Sequence, residues 1–313
     1  MSSCTLCPRG CSVDRELRDG FCGCPSEMLV SRVMLHMWEE PCISGKNGSG
    51  AVFFCGCPLG CAFCQNGDIS KRGEGGTFAG QRSFSVGELA EEFLRLQNGG
   101  AHNINLVSPT KYTDKLKEAV RLSREAGLSL PVVWNTGGYE TIENISSLEG
   151  TVQVYLTDMK YYSSDISSAL SSAPDYFDRA FAALLKMVEQ VGTPRYDEEG
   201  MMTRGVIVRH LVLPGCRRDS EMILRKMAEA GLASRIVLSL MSQYTPDFFR
   251  GCPDEKLDKS MRRRVTSFEY GFVEDTASEL GFTGFGQARS SATKKYTPHW
   301  GDFSLGEALT ETR

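Results

Sequence analysis

Apolar residues in this chain fall into two alternating kinds of run. Short stretches bounded by Gly, Pro, Asn or Asp recur at 51–55, 103–107, 131–135, 152–158, 205–213 and 235–240. Their length and β-branched content predict strands. Between most of them the apolar positions fall three and four apart, the period of an amphipathic helix. Ser85-Val86-Gly87-Glu88 reads as a capping box ahead of Leu89, Phe93 and Leu96, with Gly99 as the stop. Leu116, Ala119 and Val120 predict a helix over 115–125 that Gly127 ends. Pro174 opens another, with Phe177, Phe181, Leu184, Leu185 and Val188 on one side, and 220–230 is closed by Gly231. The pattern after the third strand is weaker and shorter, over 142–148. Leu257, Met261, Val265, Phe268, Phe272 and Leu280 predict one long helix after the sixth strand. Residues 30–50, punctuated by Pro and Gly, read as a connector. Six strand–helix units imply a parallel sheet.

Cysteine interrupts this regular pattern twice. Cys57, Cys61 and Cys64 stand at C-x3-C-x2-C directly after the first strand. Thiolates are the ligands of iron–sulfur clusters, and a cubane has four irons. Three cysteines on one tight loop can hold three of them and leave the fourth open. The competing readings are packing or zinc, but zinc fingers favour ligand pairs split by a long spacer. Cys55 precedes the triplet at the strand end. It could close the site as a fourth ligand, although its place suits packing better. The second group is N-terminal. Cys4, Cys7 and Cys11, followed by Cys22 and Cys24, lie among Pro8, Gly10, Gly20, Gly23 and Pro25. Four such thiols could bind zinc or a second iron–sulfur cluster, with either Cys22 or Cys24 completing the set. His36, Glu39 and Glu40 form a further candidate polar group, although a lone His beside Trp38 fits packing as well.

Composition narrows the field. The chain has 313 residues, 41% of them hydrophobic, enough for one large α/β domain with a small appendage. We divide it into a cysteine-rich segment with its connector, 1–48, and an α/β domain with C-terminal helix and tail, 49–313. The net charge is −4 and no basic block stands out, which argues against nucleic acid as the main partner. No apolar run reaches membrane-spanning length, and the N-terminus lacks a signal-peptide pattern. A cytoplasmic location is expected. Twelve cysteines there read as metal or redox sites, not a disulfide framework.

The triplet, with Phe63 before its last cysteine, resembles the signature of the radical S-adenosylmethionine (SAM) superfamily. Trp38 to Gly45, Cys64-Gln65-Asn66, Asn103 to Thr110, Tyr155 to Tyr161, Arg209 to Gly215, Met241 to Pro246 and the N-terminal Cys-x-x-Cys-Pro-Arg resemble one branch of it. That branch groups homologues of the activating enzyme of pyruvate formate-lyase. The resemblance implies a partial (β/α)6 barrel with its chemistry at the C-terminal strand ends. It implies a 4Fe-4S cluster on Cys57, Cys61 and Cys64, with SAM on the open iron and reductive cleavage to a 5′-deoxyadenosyl radical. It also implies a protein substrate such as a glycyl-radical enzyme and a reductant such as flavodoxin or ferredoxin. Radical modification of a small molecule or another peptide is the alternative. An iron–sulfur electron carrier without SAM chemistry is a third reading, and a carrier would be expected to close its cluster with four cysteines.

Residue roles carry over by position. Asp158-Met159-Lys160 is similar to the Asp-x-Lys of the activases, which contacts SAM; the carboxylate suits ribose hydroxyls and the lysine the methionyl carboxylate. Where most members carry Gly-Gly-Glu, this chain has Ser108-Pro109-Thr110, leaving Ser108 and Thr110 as the oxygens expected near the SAM ammonium. Asn135 stands where the activases have Asp. Arg209 and His210 are adjacent on one strand, so one faces the lumen and the other the helices. Arg209 could meet SAM or substrate, or form a structural ion pair. Gln243 and Tyr244 could line the pocket, while Cys252 reads as an incidental cysteine.

Overall fold

The computed structural model describes residues 4–287. Residues 288–313, the end of the expected 49–313 domain, lie outside the described residues. Ten strands occur: β1 (Met28–His36), β2 (Ser49–Phe54), β3 (Arg82–Phe84), β4 (Ile104–Val107), β5 (Val132–Thr136), β6 (Val154–Asp158), β7 (Arg195–Tyr196), β8 (Met202–Leu211), β9 (Val237–Met241) and β10 (Gly284–Gly286). One sheet runs in the order β10-β9-β8-β6-β5-β4-β2-β1-β3, with β7 on β8. The stretch from β2 to β10 along that order is parallel throughout. This is the expected mixed α/β sheet of a partial radical SAM barrel.

The connector reading of 30–50 is corrected. Its first half is β1, antiparallel to both β2 and β3. The expected boundary at 48/49 therefore falls between two paired strands. Alternating Val, Met and Leu with buried polar residues carry β1, a pattern the Pro and Gly beyond it obscured. After it, Pro41 opens α1 (Pro41–Ser44). Cys42 and Ile43 of this short helix pack with Val133, Val154, Leu156, Ile207 and Val237. These strand residues share one parity; their neighbours Trp134, Tyr155, Val206, Val208 and Leu238 belong to the other, larger core. α1 thus plugs the N-terminal end of the lumen.

The remaining helices are α2 (Gly67–Ser70), α3 (Val86–Asn98), α4 (Thr113–Glu125), α5 (Ile142–Ser147), α6 (Ser164–Ser171), α7 (Tyr176–Val191), α8 (Arg217–Glu229), α9 (Glu255–Met261) and α10 (Ser267–Glu279). The Ser85–Glu88 capping box opens α3 as expected. α6 was not predicted because serine is a poor interior helix former; Ser163 caps it from outside. The single C-terminal helix is two. Asp254 caps α9, while Thr266 and Glu269 form a second capping box that starts α10. Apolar spacing carried across that break and concealed it. Among the described residues, no helix is long and apolar enough to cross a membrane.

Candidate active site

β2 ends at Phe54, and the chain turns through Gly56 into the cysteine loop. Gly56 has φ +74°, and a Cβ there would lie 2.3 Å from Cys24 Sγ and 2.5 Å from the Cys22 carbonyl oxygen. Only glycine lets the N-terminal segment approach this closely. Backbone bonds hold the loop on both sides. Gly56 N–H donates to Ile69, Ala62 N–H to Leu170, and Arg250 N–H to Ala62, at 2.7, 2.8 and 2.9 Å. Cys57, Cys61 and Cys64 all line one cavity of about 500 Å³. Ser171 Oγ donates to Cys61 Sγ at 3.0 Å. Burial pushes the Cys57 and Cys64 thiols up, Cys64 to about 12, and the neighbouring thiols of the triplet add to both shifts. Cys55 is buried and does not line the cavity.

Across the cavity stands a polar wall. Asp158 pairs with Lys160 Nζ at 2.5 Å and with Arg209 Nε at 2.9 Å. Arg209 also donates to Glu39 Oε2 at 3.1 Å and to Asn135 Oδ1 at 2.6 Å. Glu39 Oε1 accepts from Asn105 at 3.0 Å and from Asn135 at 3.1 Å. Burial would raise the Asp158 carboxyl, but the Lys160 and Arg209 charges overcome it and hold it below the usual range. The adjacent residue of β8 points the other way. His210 meets the Met159 carbonyl at 2.6 Å and Ser220 Oγ at 2.8 Å, and burial lowers it to about 4, so it is a neutral structural residue.

Of the residues proposed for SAM, Ser108, Asn135, Asp158, Lys160 and Arg209 line this cavity. Thr110 does not. Its hydroxyl donates to buried Glu140 at 2.6 Å, in a node that also takes Trp134, Thr136 and Asn144. The reason is local: Ser108 adopts φ 55°, and the 3-10 turn after Pro109 carries Thr110 away from the lumen. Gln243 and Tyr244 line the cavity; Cys252 does not. Sequence reasoning missed Lys111. This buried lysine donates to the Gly56 carbonyl at 2.8 Å and the Ser108 carbonyl at 2.6 Å, which puts a cation under the loop. It also left Glu39 and Glu40 as a loose group with His36. Two consecutive acids before a proline were the available signal, but the sequence could not show that α1 delivers them to the lumen.

The N-terminal segment docks behind the cysteine loop. Arg9 donates to the Pro58 carbonyl and the Ser171 carbonyl, each at 2.7 Å, and Arg15 donates to the carbonyls of Cys24, Pro25 and Lys111. Cys11 Sγ and Cys22 Sγ both flank Gly20, 3.3 and 3.9 Å from the Cβ it lacks. A hydrogen bond from the Cys24 thiol lowers Cys22 to about 6, with Lys111 and Arg15 assisting, while Cys24 is raised in return. Cys7 is pushed to about 12 by burial. Among the described residues, no three His, Cys, Asp or Glu side chains converge on a single ion, in this segment or at the triplet.

Comparison with known proteins places this architecture. The sequence model of the Radical SAM superfamily matches residues 51–215, and the chain belongs to that superfamily. It is 31% identical over 252 residues to the uncharacterized protein MJ0674 of Methanocaldococcus jannaschii, covering 79% of this chain and 67% of that protein. It is 26% identical over 191 residues to the pyruvate formate-lyase-activating enzyme of Clostridium pasteurianum, 59% of this chain and 70% of that enzyme. The family implies a 4Fe-4S cluster and SAM. The residues fit these groups in their chemistry: three thiols, Asp158, Lys160 and Arg209 line one cavity, and buried Lys111 holds the Gly56 carbonyl beside the loop.

Proposed function

We propose that this protein is a radical SAM enzyme acting on a protein substrate, with activation of a glycyl-radical enzyme as the leading reaction. The observation that carries the reading is the meeting of the three triplet thiols with Asp158, Lys160 and Arg209 on one cavity. In this reading Cys57, Cys61 and Cys64 each hold one iron. Bound cluster and SAM supply reductive cleavage to methionine and a 5′-deoxyadenosyl radical, which takes a hydrogen atom from carbon. The chain's own residues orient the reactants. Asp158 accepts from ribose hydroxyls, Lys160 pairs with the methionyl carboxylate, and Ser108 and Asn135 offer oxygens near the amino group. Arg209 fixes Asp158 and Glu39 in place. Lys111 offsets the negative charge that three thiolates bring.

Likeness to an activating enzyme supports a protein substrate, and a lateral opening in a six-stranded barrel could admit a chain segment. Flavodoxin or ferredoxin is the proposed reductant. We assign Cys4, Cys7, Cys11 and Cys22 to a second metal centre, zinc or iron–sulfur, in the segment appended to the barrel. The test is anaerobic reconstitution, reduction, and assay of SAM for 5′-deoxyadenosine. The product is expected, and its absence would defeat the SAM reading. Adding candidate glycyl-radical enzymes should then give a glycine-centred doublet by electron paramagnetic resonance. A small metabolite that alone stimulates 5′-deoxyadenosine formation would favour the small-molecule alternative.

A further inference from the structure

The deep end of the cavity holds a carboxyl group for which the proposed chemistry has no use. Glu40 follows Glu39 at the end of the β1 segment, just before the α1 plug. It lines the cavity and is only 8% exposed. Ser239 lines the cavity beside this carboxyl, and Glu40 Oε2 has no hydrogen-bond partner. An unpaired buried acceptor is costly, so it marks a place where a donor belongs.

The cation beside it is already committed. Each of the three Arg209 nitrogens donates elsewhere: Nε to Asp158, Nη1 to Glu39 and Nη2 to Asn135. Lys160 pairs with Asp158. The cavity wall carries three carboxyl groups, Glu39, Glu40 and Asp158, against two cations, Lys160 and Arg209. Burial, with Glu39 beside it, raises the Glu40 carboxyl above its usual range, so this group is the one that an added cation would bring to its charged form. Trp38, 41% exposed, lines the same cavity.

We propose that Glu40, with Ser239 beside it and Trp38 nearby, is a specificity-determining receptor for an alkylammonium group of the substrate, supplied by a lysine side chain of the protein segment that enters the cavity. A lysine brings its own three donors and its charge, so it fills the Oε2 valence and balances the wall in one step. Its four-carbon stem suits a group that must reach past the reacting carbon to the deep end. The assignment rests on the reading of this cavity as the reaction chamber, and its test does not use SAM turnover.

The anaerobically reconstituted protein, without SAM, is titrated calorimetrically with n-butylamine and with n-butanol. A second pair is Ac-Gly-Lys-Gly-amide and its norleucine counterpart. The ammonium member of each pair should bind about tenfold tighter or more, and Glu40→Gln should remove that preference. Ser239→Ala should reduce it by less. Equal affinity within both pairs, binding of none of the four, or an unchanged preference in Glu40→Gln overturns the assignment. If Glu40→Gln does not fold, the wild-type preference and Ser239→Ala decide it. Preference for n-butylamine with none between the peptides overturns the lysine source and leaves a free amine. Failure of the radical SAM reading would appear separately, as absence of 5′-deoxyadenosine from wild-type protein.

Discussion

Cys57, Cys61 and Cys64 are placed by secondary structure, whereas Cys4, Cys7, Cys11 and Cys22 are placed by side chains. The triplet loop hangs from β2 and is pinned by backbone bonds to Ile69, Leu170 and Arg250. The N-terminal segment closes its backbone bonds on itself, Cys4 with Ser12 and Val13 and Cys7 with Gly10, and is clamped in place by the guanidinium groups of Arg9 and Arg15 on loop carbonyls. Electrostatics differ as well. Burial and neighbouring thiols push Cys64 to about 12, while Cys24, Lys111 and Arg15 bring Cys22 down to about 6. The contrast teaches that thiol spacing alone does not define a site. The triplet is a rigid part of the barrel, and the other group is a module strapped to its back.

The largest expected effect separates the two groups outright. Cys61→Ala should abolish 5′-deoxyadenosine formation and lose the cluster's iron, whereas Cys55→Ala should keep both. Full SAM cleavage by Cys61→Ala would remove the triplet from the chemistry. Loss of the cluster in Cys55→Ala would instead point to a closed, carrier-like site. Next in size is the metal content of the module. Protein lacking all three triplet cysteines should retain zinc or iron, and further change of Cys7 and Cys11 to Ala should release it. Triplet-deleted protein prepared anaerobically without either metal would leave the N-terminal thiols without a centre.

A smaller effect tests the ionic wall opposite the triplet. Asp158→Asn should weaken SAM binding by about 1–3 kcal/mol, the scale of a charged hydrogen bond. Calorimetric titration that finds unchanged affinity in both Asp158→Asn and Lys160→Met would take the pair out of the SAM site. The finest measurement is a rate. In metal-free protein, alkylation of Cys22 by iodoacetamide should rise as pH climbs through about 6, because the thiolate is the nucleophile. Cys64 should stay slow until far more alkaline pH, since burial keeps its thiol protonated up to about 12. Equal pH profiles for Cys22 and Cys64 by mass spectrometry would erase the contrast.

Much of this was legible in the sequence, for reasons that individual residues show. The triplet declared itself because its pattern is local: three thiols within eight residues after an apolar run. Asp158 and Lys160 were readable through the family resemblance at the end of β6, while strand parity said that Arg209 and His210 face opposite ways and left open which faces the lumen. Thr110 was misplaced because the left-handed Ser108 sets its direction, and no local preference predicts φ 55° at a serine. Lys111 stayed hidden, and Glu39 and Glu40 were candidates without a place, because their settings depend on residues far along the chain: Gly56 for the lysine, Arg209 for Glu39 and Ser239 for Glu40. β1 was lost to the Pro and Gly that follow it.

The α1 plug has a consequence for traffic. With Cys42 and Ile43 packed into the N-terminal end of the lumen, the barrel is a well and not a tunnel. Nothing passes through it from end to end. Molecules that share a well must queue: the one seated deepest arrives first and departs last. A substrate group resting at the floor would then have to enter before SAM closes over it, and products would leave in the reverse sequence. Steady-state kinetics should show compulsory order, with excess SAM trapping the floor or shutting out the substrate. Random-order kinetics would mean that substrate uses the lateral opening and not the mouth it shares with SAM.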